Sequence, residues 1–145
     1  MSIRTLFKKN RAVVLASLFL LPAYVITTHA NAASQQKVYE LRTYHTNEGK
    51  LPALQARFRD HTDSIFKRLG MKVIAYWVPT TAPKASNTLI YIIEHDSEDD
   101  AKQKWQTFIN DPTWKSAYQA SIKDGLLVKN IDVLFMQKTD FSPVL

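Results

Sequence analysis

Four stretches of this chain alternate side chains in steps of two, and the segments between them repeat apolar residues at steps of three and four. That succession fixes the order in which strands and helices must follow one another. Lys37 to His45 sets Tyr39, Leu41 and Thr43 on one side and Glu40, Arg42 and Tyr44 on the other, rich in aromatic and β-branched residues as a strand is. Thr46-Asn47-Glu48-Gly49 breaks the pattern. From about Leu51 the apolar positions are Leu54, Phe58, Ile65 and Leu69, one helical stripe, with Pro52 tolerable in the first turn and Gly70 where a helix ends.

Lys72 to Val78 and Thr88 to His95 read as two further strands, an antiparallel pair joined by the proline-containing loop Pro79 to Asn87. Ser97, followed at Asp100 by an acid, opens a helix whose buried stripe is Ala101, Trp105 and Phe108. Asp111-Pro112 restarts the chain as a cap and a first-turn proline, and Trp114, Tyr118 and Ser121 or Ile122 continue a second helical face. Asn130 to Lys138 alternates once more. The order β-α-β-β-α-α-β predicts an α+β fold, a ferredoxin-like four-stranded antiparallel sheet with helices on one face. The other face carries large residues that a lone sheet leaves wet, so a homodimer formed sheet to sheet is expected.

The N-terminal segment reads differently. Residues 1–33 contain Arg4, Lys8, Lys9 and Arg11 and no acid; Ala12 to Ile26 is apolar apart from polar positions and Pro22; Ala30-Asn31-Ala32 offers small residues to a signal peptidase. Residues 1–32 are therefore expected to be a bacterial export signal, with a domain at 33–145 that is periplasmic or secreted. The apolar run falls short of the roughly 20 residues a spanning helix needs, so no lasting membrane insertion is expected. Without those four bases, 15 basic and 13 acidic residues remain of the chain's 19 and 13, a net +2. That leaves no charge argument for nucleic acid. The third strand also lacks the basic and paired aromatic signature of an RNA-recognition module.

Several chemistries are absent for want of residues. With no cysteine there is no disulfide, thiolate metal site or thiol nucleophile. Three glycines build neither G-x-x-x-x-G-K-[ST] nor G-x-G-x-x-G, and no G-x-S-x-G elbow occurs. His45 and His95 end strands without the short spacing of a metal site, and none is expected.

The candidates that remain each carry a plainer reading. His61 follows Phe58 by three and precedes Ile65 by four, which puts an imidazole on the apolar stripe, a candidate general base in a pocket between helix and sheet. The plainer reading, a histidine hydrogen-bonded at the core edge, carries more weight. Arg42 could grip a carboxylate ligand with two parallel hydrogen bonds, or pair with Glu40, Glu94 or Asp132; the pairing is favoured. Tyr44 continues the same side. Trp77, Tyr91 and Trp105 supply aromatic walls for a ligand, although rings at such spacing are more often core.

Tyr39-Glu40-Leu41-Arg42-Thr43-Tyr44, Gly70-Met71, Trp77, Trp105 with Phe108, Asp111-Pro112-Thr113-Trp114 and the ending Thr139-Asp140-Phe141-Ser142-Pro143 together resemble the NIPSNAP family, over nearly all of residues 37–143. The resemblance implies a dimeric α+β barrel, an architecture shared with small oxygenases, haem-handling proteins and ligand-binding domains. It implies no settled chemistry, since members are largely of unknown biochemical function, the animal ones being associated with mitochondria and vesicle traffic. The export signal, and Asn47-Glu48-Gly49-Lys50 where a Pro-Gly pair is common, depart from that pattern. Two readings follow. One is a homodimeric binding or interaction domain for a small apolar or carboxylate-bearing molecule, with no cofactor. The other is a cofactor-independent monooxygenase-like or isomerase-like enzyme in which His61 and Arg42 polarise a substrate. Haem would need an axial histidine facing a wide slot.

Overall fold

The computed structural model describes residues 36–143; the segment read as an export signal lies outside them. Strand β1 (Val38–Thr46) leads into helix α1 (Leu51–Arg57), which continues through a π-helical turn (Phe58–Thr62) into α2 (Asp63–Arg68). Strands β2 (Lys72–Trp77) and β3 (Thr88–His95), helices α3 (Glu98–Asn110) and α4 (Pro112–Ser121), and strand β4 (Val128–Gln137) follow. The sheet runs β2-β3-β1-β4 with every pairing antiparallel, the arrangement the succession of periods predicts.

Local chemistry accounts for the helix boundaries. The α3 cap is Ser97, whose Oγ accepts from the Asp100 N–H at 3.0 Å, beside three acids in the first turn. Asp111 caps α4 through its Oδ1 and the Trp114 N–H at 3.0 Å, with Pro112 in the first turn where no N–H is needed. Helix α2 stops at Gly70, which takes φ +69°, a conformation open to a residue without Cβ.

Register decides which residues share a face. Glu40 stands opposite Ile93 and Phe135, Arg42 opposite Tyr91 and Val133, and Tyr44 opposite Leu89 and Ile131. This is the side the helices cover. There, Leu54, Phe58, Ile65 and Phe66 from the first helical segment and Phe108 from α3 close on Tyr91, Ile93 and Leu89 to form the core. Rings dominate it: Phe66 lies 4.8 Å from Phe108 and 6.2 Å from Tyr91, and Phe58 meets Tyr44 edge-on at 5.7 Å. Such contacts add about 0.5–1.5 kcal/mol each beyond the area they bury. The opposite side carries the row Ala75, Ile92, Leu41 and Leu134 across all four strands, and none of the described helices lies over it. At the β4 edge both sides are wet: Val133 is 46% exposed and Leu134 56%.

The π turn corrects one expectation from the sequence. His61 is exposed, not on the buried stripe; Thr62 is buried in its place. The Asp63 N–H bonds to the carbonyl of Phe58, five residues back, so the widened turn takes more residues per revolution and brings Thr62 over Phe58. An α-helical spacing of three no longer points His61 inward.

Candidate functional site

Two groups of polar side chains lie under the helices, and they differ in whether their charges are answered. The first is centred on Glu40, wholly buried at mid-β1. Its carboxylate accepts from Arg42 Nε at 2.7 Å, from Trp105 Nε1 at 2.7 Å and, because an ionised carboxylate can only accept, from the Nε2–H of His95 at 2.8 Å. Arg42 also lies over the Trp105 indole, its Cζ 3.6 Å from the ring centroid. Burial opposes ionisation of Glu40, yet the bonds from His95, Trp105 and Arg42 outweigh it and hold the carboxyl below its ordinary range. On the far side of the imidazole, Nδ1 is buried without a hydrogen bond, 3.9 Å from Asp100 Oδ2. The cluster ties β1, β3 and α3 together and is sealed from solvent at its centre.

The second group surrounds a hollow of about 410 Å³ between the first helix, α4 and the β1–β4 side of the sheet. Its walls include Tyr44, Phe58, Phe108, Trp114 and Tyr118, with Val128 and Ile131 of β4 at the sheet side. The volume is within the range of small-molecule sites. Into this aromatic surround comes Arg57, from the last turn of α1, only 5% exposed. Its Cζ is 5.1 Å from the Trp114 ring and 5.5 Å from that of Tyr118. Nη1 donates to Ser121 Oγ at 3.2 Å, whereas Nε is buried with no partner among the described residues. Among the described residues no carboxylate forms an ion pair with it. Burial pushes its pKa down from the usual guanidinium value, against a weaker opposite pull from the neighbouring tyrosines.

The residues singled out from the sequence separate into four places. Arg42 and Trp105 join in the Glu40 cluster, where the guanidinium is spoken for by Glu40, the pairing favoured from the sequence. Tyr91 is fully buried and donates to Tyr44 Oη at 3.0 Å; of the two, Tyr44 reaches the hollow. Burial and the adjacent Tyr44 drive the Tyr91 phenol well above its ordinary pKa. Trp77, 45% exposed, borders a separate recess with Gln55, Arg59 and Asp63. His61 lines a shallow outer groove among Ala53, Ala56, Ala117 and Ala120 and faces no pocket between helix and sheet. Among the described residues no three His, Asp or Glu side chains converge as metal ligands would.

Arg57 escaped the sequence reading although a signal was present. It follows Leu54 by three and so occupies the apolar stripe, where a charge is out of place. Trp114 was read as part of the second helical face; its N–H holds the Asp111 cap, and its ring, 4.4 Å from Phe108, walls the hollow.

Solved structures share this architecture. A NIPSNAP family protein of unknown function from Agrobacterium tumefaciens is 26% identical with a TM-score of 0.66, covering 77% of this chain and 96% of its own. A NIPSNAP-like domain protein from Burkholderia xenovorans, 16% identical, superposes with the same TM-score of 0.66 over 77% of this chain and 92% of its own, a likeness of fold alone. A NipSnap homolog of Dictyostelium discoideum is 25% identical over 117 residues; these are 81% of this chain but 44% of that protein, so the chain spans less than half the length of this curated relative. The NIPSNAP family profile matches residues 39–143, from the β1 strand to the proline that closes the C-terminal motif. With that match over most of its length and with the fold its relatives share, the chain belongs to the NIPSNAP family.

Proposed function

We propose that this NIPSNAP domain binds a small, largely apolar molecule in the hollow beneath α1 and α4, and does so as an exported homodimer. The observation that carries the reading is Arg57: a guanidinium buried among aromatic rings with no counter-ion among the described residues. A buried charge left unanswered is costly, and proteins retain one where something else answers it. Native mass spectrometry of the purified protein tests this directly. A co-purifying organic molecule, displaced when Phe108→Trp fills the cavity, is the expected result; a protein that carries nothing and takes up no small molecule refutes it.

The dimer rests on the uncovered row Ala75, Ile92, Leu41 and Leu134 and on the wet edge strand β4. An apolar sheet face and an unpaired edge both favour association, and a second copy satisfies the two at once. Light scattering at micromolar concentration should give twice the mass of the processed chain, and a monomer contradicts the proposal. Export rests on the basic, apolar and small-residue succession of residues 1–32. N-terminal sequencing of the protein from its native host should then begin near Ala33. The enzymatic alternative is not favoured by the geometry: His61 lies in an outer groove, while Arg42 is bound to Glu40 under α3.

A further inference from the structure

The two arginines of the helix-covered layer are answered differently. Arg42 has its carboxylate built in, two residues away at Glu40, and its guanidinium plane is stacked on Trp105. Arg57, buried more deeply, has among the described residues a serine hydroxyl on Nη1 and nothing on Nε. Nε is sealed within the protein, so the donors left for a ligand are those of Nη2 and the second hydrogen of Nη1, which can meet the oxygens of a carboxylate. The rings of Trp114 and Tyr118 flank the guanidinium and line the same hollow, so whatever meets those donors continues against an apolar aromatic wall.

We propose that Arg57 is the anchor for a monocarboxylate whose apolar body occupies the hollow between Phe58, Phe108 and Trp114. The inference rests on reading that hollow as a ligand site and adds the chemical class of the ligand. One guanidinium balances one negative charge. The other cation on the wall, Lys129, is solvent-exposed on β4 and holds its charge in water, so the buried end of the site offers no second charge for a phosphate dianion. Six aromatic side chains, Tyr44, Phe58, Phe66, Phe108, Trp114 and Tyr118, dominate the wall, and Lys129 and Asn130 are exposed on β4, so the wall suits an apolar body better than a sugar or a nucleotide base. An acid with a hydrocarbon or phenyl tail matches both ends.

The test compares three probes that share a phenyl ring on the intact domain by isothermal titration: 4-phenylbutyrate, its neutral amide, and phenyl phosphate. The acid should bind and the amide should bind roughly 10- to 100-fold more weakly, the loss expected when charge-assisted hydrogen bonds are removed. Arg57→Gln should bring the acid down to the level of the amide while leaving the amide unchanged, and Arg57→Lys should restore part of the difference by keeping the charge without the fork. A merely structural role for Arg57 would weaken acid and amide alike, and that outcome overturns the assignment. So does equal binding of acid and amide to the unaltered protein, although the hollow would then still be a ligand site. Tighter binding of phenyl phosphate than of the acid overturns the carboxylate class. Silence from all three overturns the assignment and removes support from the ligand-site reading with it.

Discussion

Replacing Glu40 with alanine deprives three donors of one acceptor. His95 Nε2 and Trp105 Nε1 meet the same oxygen, Oε2, at 2.8 and 2.7 Å, and Arg42 Nε meets Oε1 at 2.7 Å. Both the Glu40 and His95 side chains are fully buried, so water cannot replace the lost carboxylate around the imidazole. Breaking a buried ionic contact by removing one partner costs about 3–5 kcal/mol, chiefly because the other is left unanswered. That is a large share of the 5–15 kcal/mol by which domains are typically stable. At roughly 4 °C per kcal/mol for a domain of this size, melting should fall by on the order of 12–20 °C. Urea unfolding followed by tryptophan fluorescence and far-UV dichroism measures it, with an unchanged slope required for the comparison. Glu40→Gln, which keeps an acceptor oxygen at nearly the same place, should lose less. A Glu40→Ala variant within about 1 kcal/mol of the parent would show that the cluster is not the tie between β1, β3 and α3 argued above.

The same carboxylate sets an acid limit. Its folded pKa is depressed, so its contribution is complete above the unfolded value near 4.3 and is lost as pH falls through the folded value; unfolding free energy followed from pH 6 down to 2 should decline less steeply in Glu40→Gln. Phe66→Ala, which empties a site between Phe108, Trp105 and Tyr91, should cost about 3–5 kcal/mol in the same urea assay. Gly70→Ala meets no atom within 4 Å, so its cost should be conformational only, roughly 1 kcal/mol from the positive φ. Exposed on its outer groove, His61 should accept alanine with a change within about 0.5 kcal/mol in stability. Leu134→Glu on the uncovered face should convert a dimer to a monomer in light scattering while leaving the far-UV spectrum intact.

Much of the architecture was legible before any coordinates. Strand β3 falls on Thr88–His95 as its alternation requires, the caps at Ser97 and Asp111 bond as their spacing requires, and the order of elements leaves the sheet its observed β2-β3-β1-β4 arrangement. The readings that missed were of another kind. Helical spacing put His61 inward, and a π turn of five residues put it outward. Arg57 passed unremarked because a charge within an apolar stripe shows its meaning only when the groups packed around it are known.

Periodicity, caps and breakers are properties of neighbours along the chain, so the amino-acid sequence by itself determined the strands, the helices, their order and the family. Whether a buried charge finds its partner depends on which residues arrive from distant segments. Tertiary structure alone decided that β3 and α3 bring His95 and Trp105 to Glu40, while α4 brings Arg57 the Ser121 hydroxyl and the faces of two rings. The difference is physical: a hydrogen bond or an ion pair is made across space at less than about 4 Å, and no local pattern records what will stand at that distance.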